Sequence, residues 1–306
     1  MDSMFSDALF FNQPIGNWDV SNVTDMSGMF YGAKNFNQPL ENWDVSSVDN
    51  MSFMFRDACN FNQSLTTWNV SNVMLMCSMF REASAFNQPL NTWNVSKVKN
   101  THAMFQGAVS FNQPLFSLSG KCLEMSLMFC NAVKFNQPLL SWDVSNCIKM
   151  GHCFDGASSF NQPLHTWDVG KVDNMMYMFK KAKSFNQPLD SWDVINVEYM
   201  LCMFQGAAAF NQPLNTWETC SVRDVQQMFE NASSFNQPLG RWDLTNVYSM
   251  DKMFKNARSF NQSFEEFIWP NNYVSMHEIM DGANSFSCAH PAKYRKSGIK
   301  RKYGLH

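Results

Sequence analysis

The sequence predicts an α/β solenoid with one short parallel strand and one short helix in each coil of 25 residues. Three observations carry this. The triplet Phe-Asn-Gln occurs eleven times, at Phe11, Phe36, Phe61, Phe86, Phe111, Phe135, Phe160, Phe185, Phe210, Phe235 and Phe260. Every step is 25 residues except that from Phe111 to Phe135, which is one shorter. Within each step a period-two pattern gives way to a helical one. Self-similarity at such a period marks a repeat array, in which each unit buries its core against its neighbours. A decayed twelfth copy follows at Phe286, where the triplet reads Phe-Ser-Cys.

The segment Leu40–Ser64, LENWDVSSVDNMSFMFRDACNFNQS, shows the elements in order. Trp43 and Val45 alternate with Asn42 and Asp44, which predicts a strand with Trp and Val inward. Met51, Met54, Phe55 and Ala58 fall at i, i+3, i+4 and i+7, one face of a short helix. Asp49 or Asn50 would cap its start. Phe61-Asn62-Gln63 forms the corner into the next strand. Proline follows in nine of the eleven copies and fixes the bend. Stacked strands would form a parallel sheet at about 4.8 Å spacing, giving a solenoid of about 50 Å. Because helices are wider than strands, the strand side is expected to be concave.

Two columns restrict the packing. Alanine recurs without exception from Ala8, Ala33 and Ala58 to Ala283, as at a place with no room for a larger side chain. The corner asparagine recurs in all eleven copies, and its amide is expected to satisfy backbone groups of the corner from coil to coil. Domain organisation follows: a single repeat solenoid over 1–289 and a basic tail over 290–306. The chain starts in mid-repeat at Met4-Phe5, which raises the expectation of a fragment or a misplaced start.

The motif FNQPIGNWDVSNVTDMSGMF, Phe11–Phe30, resembles the repeat of the BspA-like leucine-rich repeat family of surface proteins, and the likeness runs to about Phe286. The resemblance implies a leucine-rich-repeat-like solenoid and a protein-binding or adhesion-type scaffold at a cell surface. It brings no catalytic residues. The chain itself carries no secretion signal, lipobox cysteine or wall anchor, so the compartment stays open. The fifth coil departs from the pattern: Leu118 stands where Trp is expected, and one residue is deleted in SLSGKC, so a flaw in the sheet is expected there.

The outward strand positions are the candidate interaction face. One column reads Asp143, Asp168, Asp193, Glu218 and Asp243; beside it run Thr166, Ser191 and Thr216. The acids either bind a cation or basic partner, or close their own turns as Asp-x-Ser sequences do. An ice-binding reading is disfavoured, because ice faces need paired uncharged columns. The six histidines fall in unrelated columns and the nine cysteines show no CxxC spacing, so neither a catalytic nor a metal site is expected. No enzyme activity, cofactor or small-molecule substrate is expected either. Cys122 and Cys147 share a column in adjacent coils, at a separation a disulfide accepts; they are thiols in a reducing compartment and could bond in an oxidising one. No run approaches a membrane span. The tail holds six Lys and Arg, leaving 17 basic against 26 acidic residues elsewhere; nucleic acid or an anionic surface would be met only through it.

Overall fold

The computed structural model describes residues 1–240, 242–270 and 274–287. Backbone hydrogen bonds join each coil to the next across its turns, and one buried core runs from Ile15 to Ile279. The chain is therefore a solenoid. The basic tail, 290–306, lies outside the described residues.

The predicted helix is not formed, although its inward face is correct. Met51, Met54, Phe55 and Ala58 are all fully buried. Yet the amides of Met51, Phe53, Phe55 and Asp57 point to the next coil and donate to the carbonyls of Leu75, Cys77, Met79 and Arg81 at 2.8–2.9 Å. The amides between them close tight turns instead: Met54 to Met51, Arg56 to Phe53, and Ala58 to Phe55. These are i to i−3 bonds, whereas an α-helix needs i to i−4 throughout. The alternation depends on two left-handed residues four apart, Phe53 at φ 61° and Asp57 at φ 58°. Every described coil repeats the pair, as Gly28 and Gly32, Ser78 and Glu82, or Tyr177 and Lys181. Non-glycine residues in this region cost about 1–2 kcal/mol each in a helical context, so the inter-coil bonds must outweigh that cost in every coil.

The predicted strand is also reduced. Trp43 and Val45 point inward and Asn42 and Asp44 outward, as expected. But the chain turns at once: the Val48 amide bonds back to the Val45 carbonyl, and the Ser46 amide to Asp44 Oδ1. The parallel pairing lies seven residues after the tryptophan. It joins Asp25 to Asn50, Asn50 to Leu75, and so on along that column to Ser275, one residue wide in each coil. Among the described residues there is neither an α-helix nor a multi-residue strand. The α/β class is corrected accordingly to a solenoid of stacked turns, and the width argument for a concave strand side lapses with the helix.

Three aromatic columns fill the core. Phe30 lies 5.5 Å from Phe55, Phe36 lies 6.0 Å from Phe61, and Trp43 lies 6.5 Å from Trp68, with near-parallel rings. Within a coil the two phenylalanines stack more closely, Phe30 on Phe36 at 4.0 Å. From Trp43 to Trp242 each tryptophan buries its ring and sends its indole N–H backwards: Trp43 to the Ile15 carbonyl at 3.0 Å, Trp68 to that of Leu40 at 2.9 Å. A buried indole without such a partner would be destabilising.

The irregular coil is repaired by a different residue from the one expected. Phe116, not Leu118, takes the tryptophan place. Its ring lies 6.4 Å from Trp93 and 6.0 Å from Trp142, and its carbonyl accepts the Trp142 indole at 2.8 Å. Leu118 is buried beside it, and its carbonyl accepts the Asp143 amide. The flaw adds pairing rather than removing it, since an extra parallel bridge joins Ser119 to Asp143.

The asparagine corner forms the expected ladder. The Asn37 amide donates to Asn12 Oδ1 at 2.9 Å, and Gln38 Nε2 donates to both the carbonyl and Oδ1 of Asn12. The ladder continues to the Asn261 amide on Asn236 Oδ1 and ends with the Ser287 amide on Asn261 Oδ1. Asn186 is a middle rung, accepting from the Asn211 amide and from Gln212 Nε2. Asn186→Ala should destabilise the protein by about 1–3 kcal/mol in a denaturant melt, the cost of leaving such donors unpaired; an unchanged midpoint would remove the ladder from the account. Lys181 sits left-handed at φ 54°. Lys181→Gly should be neutral or stabilising, whereas a helix interior would lose about 1 kcal/mol.

Candidate functional site

The candidate face is built from the turn that follows each tryptophan. Asp143 Oδ1 accepts the Ser145 amide at 3.1 Å; Asp168, Asp193 and Asp243 do the same for Gly170, Ile195 and Thr245. Asn69 and Asn94 occupy the same role with Ser71 and Ser96. Each of these acids thus closes its own turn with one oxygen. In Asp19, Asp44 and Asp143 the serine two residues on supplies its hydroxyl and its amide, and together they hold the carboxyls below the usual range. The other oxygen of Asp143, Asp168 and Asp193 makes no hydrogen bond to a described residue, and these side chains are exposed. Asp243 is half-buried, and Glu218 is exposed without closing a turn.

The hydroxyl column is occupied by the scaffold itself. Thr166 Oγ1 donates to the Leu140 carbonyl at 2.9 Å, Ser191 Oγ to that of His165 at 3.1 Å, and Thr216 Oγ1 to that of Asp190 at 2.9 Å. The face is therefore a row of single free carboxylate oxygens beside hydroxyls already engaged. In the irregular coil Gly120 makes room for this row: a Cβ there would run into the Asp143 carboxylate.

A second long face, formed by the turns around Phe53 and Arg56, was not legible as a site. Its columns change identity from coil to coil, which is the only signal they give. The Arg56 guanidinium lies 5.1 Å from the Tyr31 ring and pairs with Asp57. Farther along, His152 stacks on Tyr177 at 4.3 Å and bonds Asp155 at 3.0 Å, and the Lys180 ammonium lies 4.7 Å from the centre of the Tyr177 ring. Cation and ring contacts of this kind stabilise locally, by about 0.5–1 kcal/mol where exposed.

The cysteines behave as core residues. Cys122 and Cys147 are buried free thiols, and each donates to the carbonyl two residues ahead, Glu124 and Lys149. Those two acceptors are bridged to one another, which places the thiols in one column as expected. Burial pushes both thiols up, as it does Cys153, and it drives Cys130 and Cys202 up to about 12. Such thiols are poor nucleophiles. Among the described residues no group of three or more His, Cys, Asp or Glu is placed to hold a metal ion, and no helix is long and apolar enough to cross a membrane. His290 and His306 lie outside the described residues, as does Arg241.

Fold and faces together define a tandem-repeat solenoid. The chain matches the family described as Mycoplasma protein of unknown function, DUF285, over residues 1–118, 119–209 and 189–292, and it belongs to that family. No curated protein matches it. One similar solved structure is described as "Crystal structure of TLR13-ssRNA13 complex". It is 10% identical, with 87% of this chain and 45% of that chain covered and a TM-score of 0.27. The chain thus spans less than half the length of that neighbour, and a likeness this loose carries no argument.

Proposed function

We propose that this protein is a non-enzymatic repeat scaffold that binds a protein or another macromolecule along the acid and hydroxyl face. The observation that supports it is the row of exposed carboxylates at Asp143, Asp168 and Asp193, each with one oxygen committed to its turn and one free. Stacked at about 4.8 Å, like charges repel, and a cationic partner relieves that repulsion along the whole row. The hydroxyl bonds hold the backbone beneath the row rigid, so the charges are presented at fixed spacing. The resemblance to BspA-like proteins favours an adhesion-type role at a cell surface.

A purely structural array without a fixed ligand is the second reading. It is favoured by the same hydrogen bonds, because every Thr or Ser hydroxyl named above and one oxygen of each aspartate serve the scaffold itself. The two separate on one variant. Asp143, Asp168 and Asp193 changed together to Asn keep the turn acceptor and remove the charge. The variant should melt like the parent and lose retention on immobilised polylysine at low salt, and calorimetric titration with calcium should report whether the row also takes a cation. Equal retention of parent and variant would return the face to a structural role.

A further inference from the structure

One stretch of the outer surface departs from the acidic character of the solenoid. The residue before the parallel bridge reads Thr24, Asp49, Met74, Lys99, Leu123, Ile148, Asp173 and Glu198 in successive coils. Its backbone forms a continuous ladder. The Lys99 amide donates to the Met74 carbonyl, that of Leu123 to Lys99, and that of Ile148 to Leu123, at 3.0–3.1 Å. These four residues therefore stand one coil apart in a single row. Met74, Leu123 and Ile148, with Leu75 beside Met74, are 38–48% exposed. Exposed apolar side chains are ordinary when scattered, but several gathered in one place mark a contact surface.

Lysines frame this row. Lys97, Lys121 and Lys171 stand two residues before it in their coils, Lys99 lies within it, and Lys149 follows Ile148; all five are exposed. None of them reaches a carboxylate among the described residues, and Lys97 and Lys171 donate to Asn72 and Asn146 Oδ1 instead. Glu124, next to Leu123, is half-buried and already engaged, accepting the Ser126 amide at 3.0 Å and lying 3.7 Å from His102. Farther along the same row, by contrast, Arg223 pairs with Glu198 at 3.2 Å. The patch thus holds cations without counter-charge around an apolar row, bounded along that row by the exposed Asp49 and Asp173.

We propose that this patch docks an acidic amphipathic helix of a partner protein, lying along the solenoid axis. The unpaired lysines call for acids on the partner, and the apolar row calls for a stripe of anchors at helical spacing. Backbone accounting selects the helix. The amides and carbonyls of the row are spent on neighbouring coils, so an extended segment would find no backbone partners here, whereas a helix satisfies its own. The spacing agrees. A helical turn rises about 5.4 Å against about 4.8 Å for a coil, so anchors and row stay in step to within about 2 Å from Met74 to Ile148. Asp49 and Asp173 lie five coils apart, about 24 Å, which limits the acidic helix to about 16 residues. The same two acids disfavour an anionic bilayer, whose flat surface would meet them along with the lysines. This surface shares no residue with the acid and hydroxyl face.

The test uses the full chain and a fluorescent synthetic peptide of about 16 residues, stapled into a helix, with leucine at i, i+4, i+7 and i+11 and glutamate and alanine elsewhere. Anisotropy titration should show saturable binding that weakens as salt rises. Leu123→Ser with Ile148→Ser should weaken it about tenfold or more, as loss of apolar anchors does. Lys99→Gln, Lys121→Gln and Lys149→Gln together should do the same, and thermal melts should match the parent. A peptide of the same composition with its leucines spread around the helix should bind about tenfold more weakly or worse. The variant with Asp143, Asp168 and Asp193 changed to Asn should bind like the parent, which separates this surface from the acid face. Absence of saturable binding to the parent overturns the proposal, as does equal binding of the reordered peptide or of either patch variant. Co-flotation of the parent with phosphatidylcholine–phosphatidylserine vesicles, lost in the serine variant, would give the patch to a membrane and overturn it too. Should the serine pair lower the melt, Leu123→Gln replaces it, with a several-fold loss of binding expected.

Discussion

The structure depends on where every second amide of the turn segment goes. In a helix those N–H groups would bond within the segment. Here they leave it and reach the next coil, so the Phe179 amide bonds Met203 and the Tyr177 amide bonds Leu201, both at 2.9 Å. That choice ties each coil to its neighbours more firmly than to itself. It also demands a left-handed residue at two places per coil, and the chain tolerates His152, Tyr177 and Lys181 there. A single coil cut loose would have no partner for these amides, which is why stability in such an array resides in the interfaces.

The side-chain columns follow from the same stacking. Once backbones repeat at fixed spacing, identical residues meet, and each column adopts a bond that identical residues can make. Phenylalanine and tryptophan stack face to face. Asparagine accepts from the next asparagine's amide, and the indole reaches a carbonyl of the preceding coil. Where identity is lost, geometry is kept by substitution: Phe116 restores the ring column and Ser287 still donates to Asn261. The columns of Asn50 and Phe53 vary in residue type although their backbones bond the next coil, because those bonds ask nothing of the side chain.

Burial was legible in the sequence, and conformation was not. The spacing of Met51, Met54, Phe55 and Ala58 identified four core residues correctly. It could not distinguish a helix from consecutive turns, because both bring i, i+3, i+4 and i+7 to one side. Left-handed glycines at Gly28 and Gly32 hint at turns, but Phe53 and Asp57 in the same columns mask the signal. Trp43 and Val45 were read inward correctly, yet the pairing column at Asn50 has no fixed residue type and left no trace. The asparagine ladder was legible because its chemistry needs one residue type in every coil. At the acidic face the sequence placed the acids in one column, but the hydroxyls' commitment to the preceding coil depends on a register that only the stacked structure supplies.

Trans-hydrogen-bond scalar couplings on deuterated, isotope-labelled protein test the central claim most directly, because they name the acceptor of each amide. The account predicts a coupling from the Phe179 amide to the carbonyl carbon of Met203, and from Tyr177 to Leu201. A coupling from the Phe179 amide to the carbonyl of Met175, four residues back, would show a helix in place of the stacked turns and contradict the account.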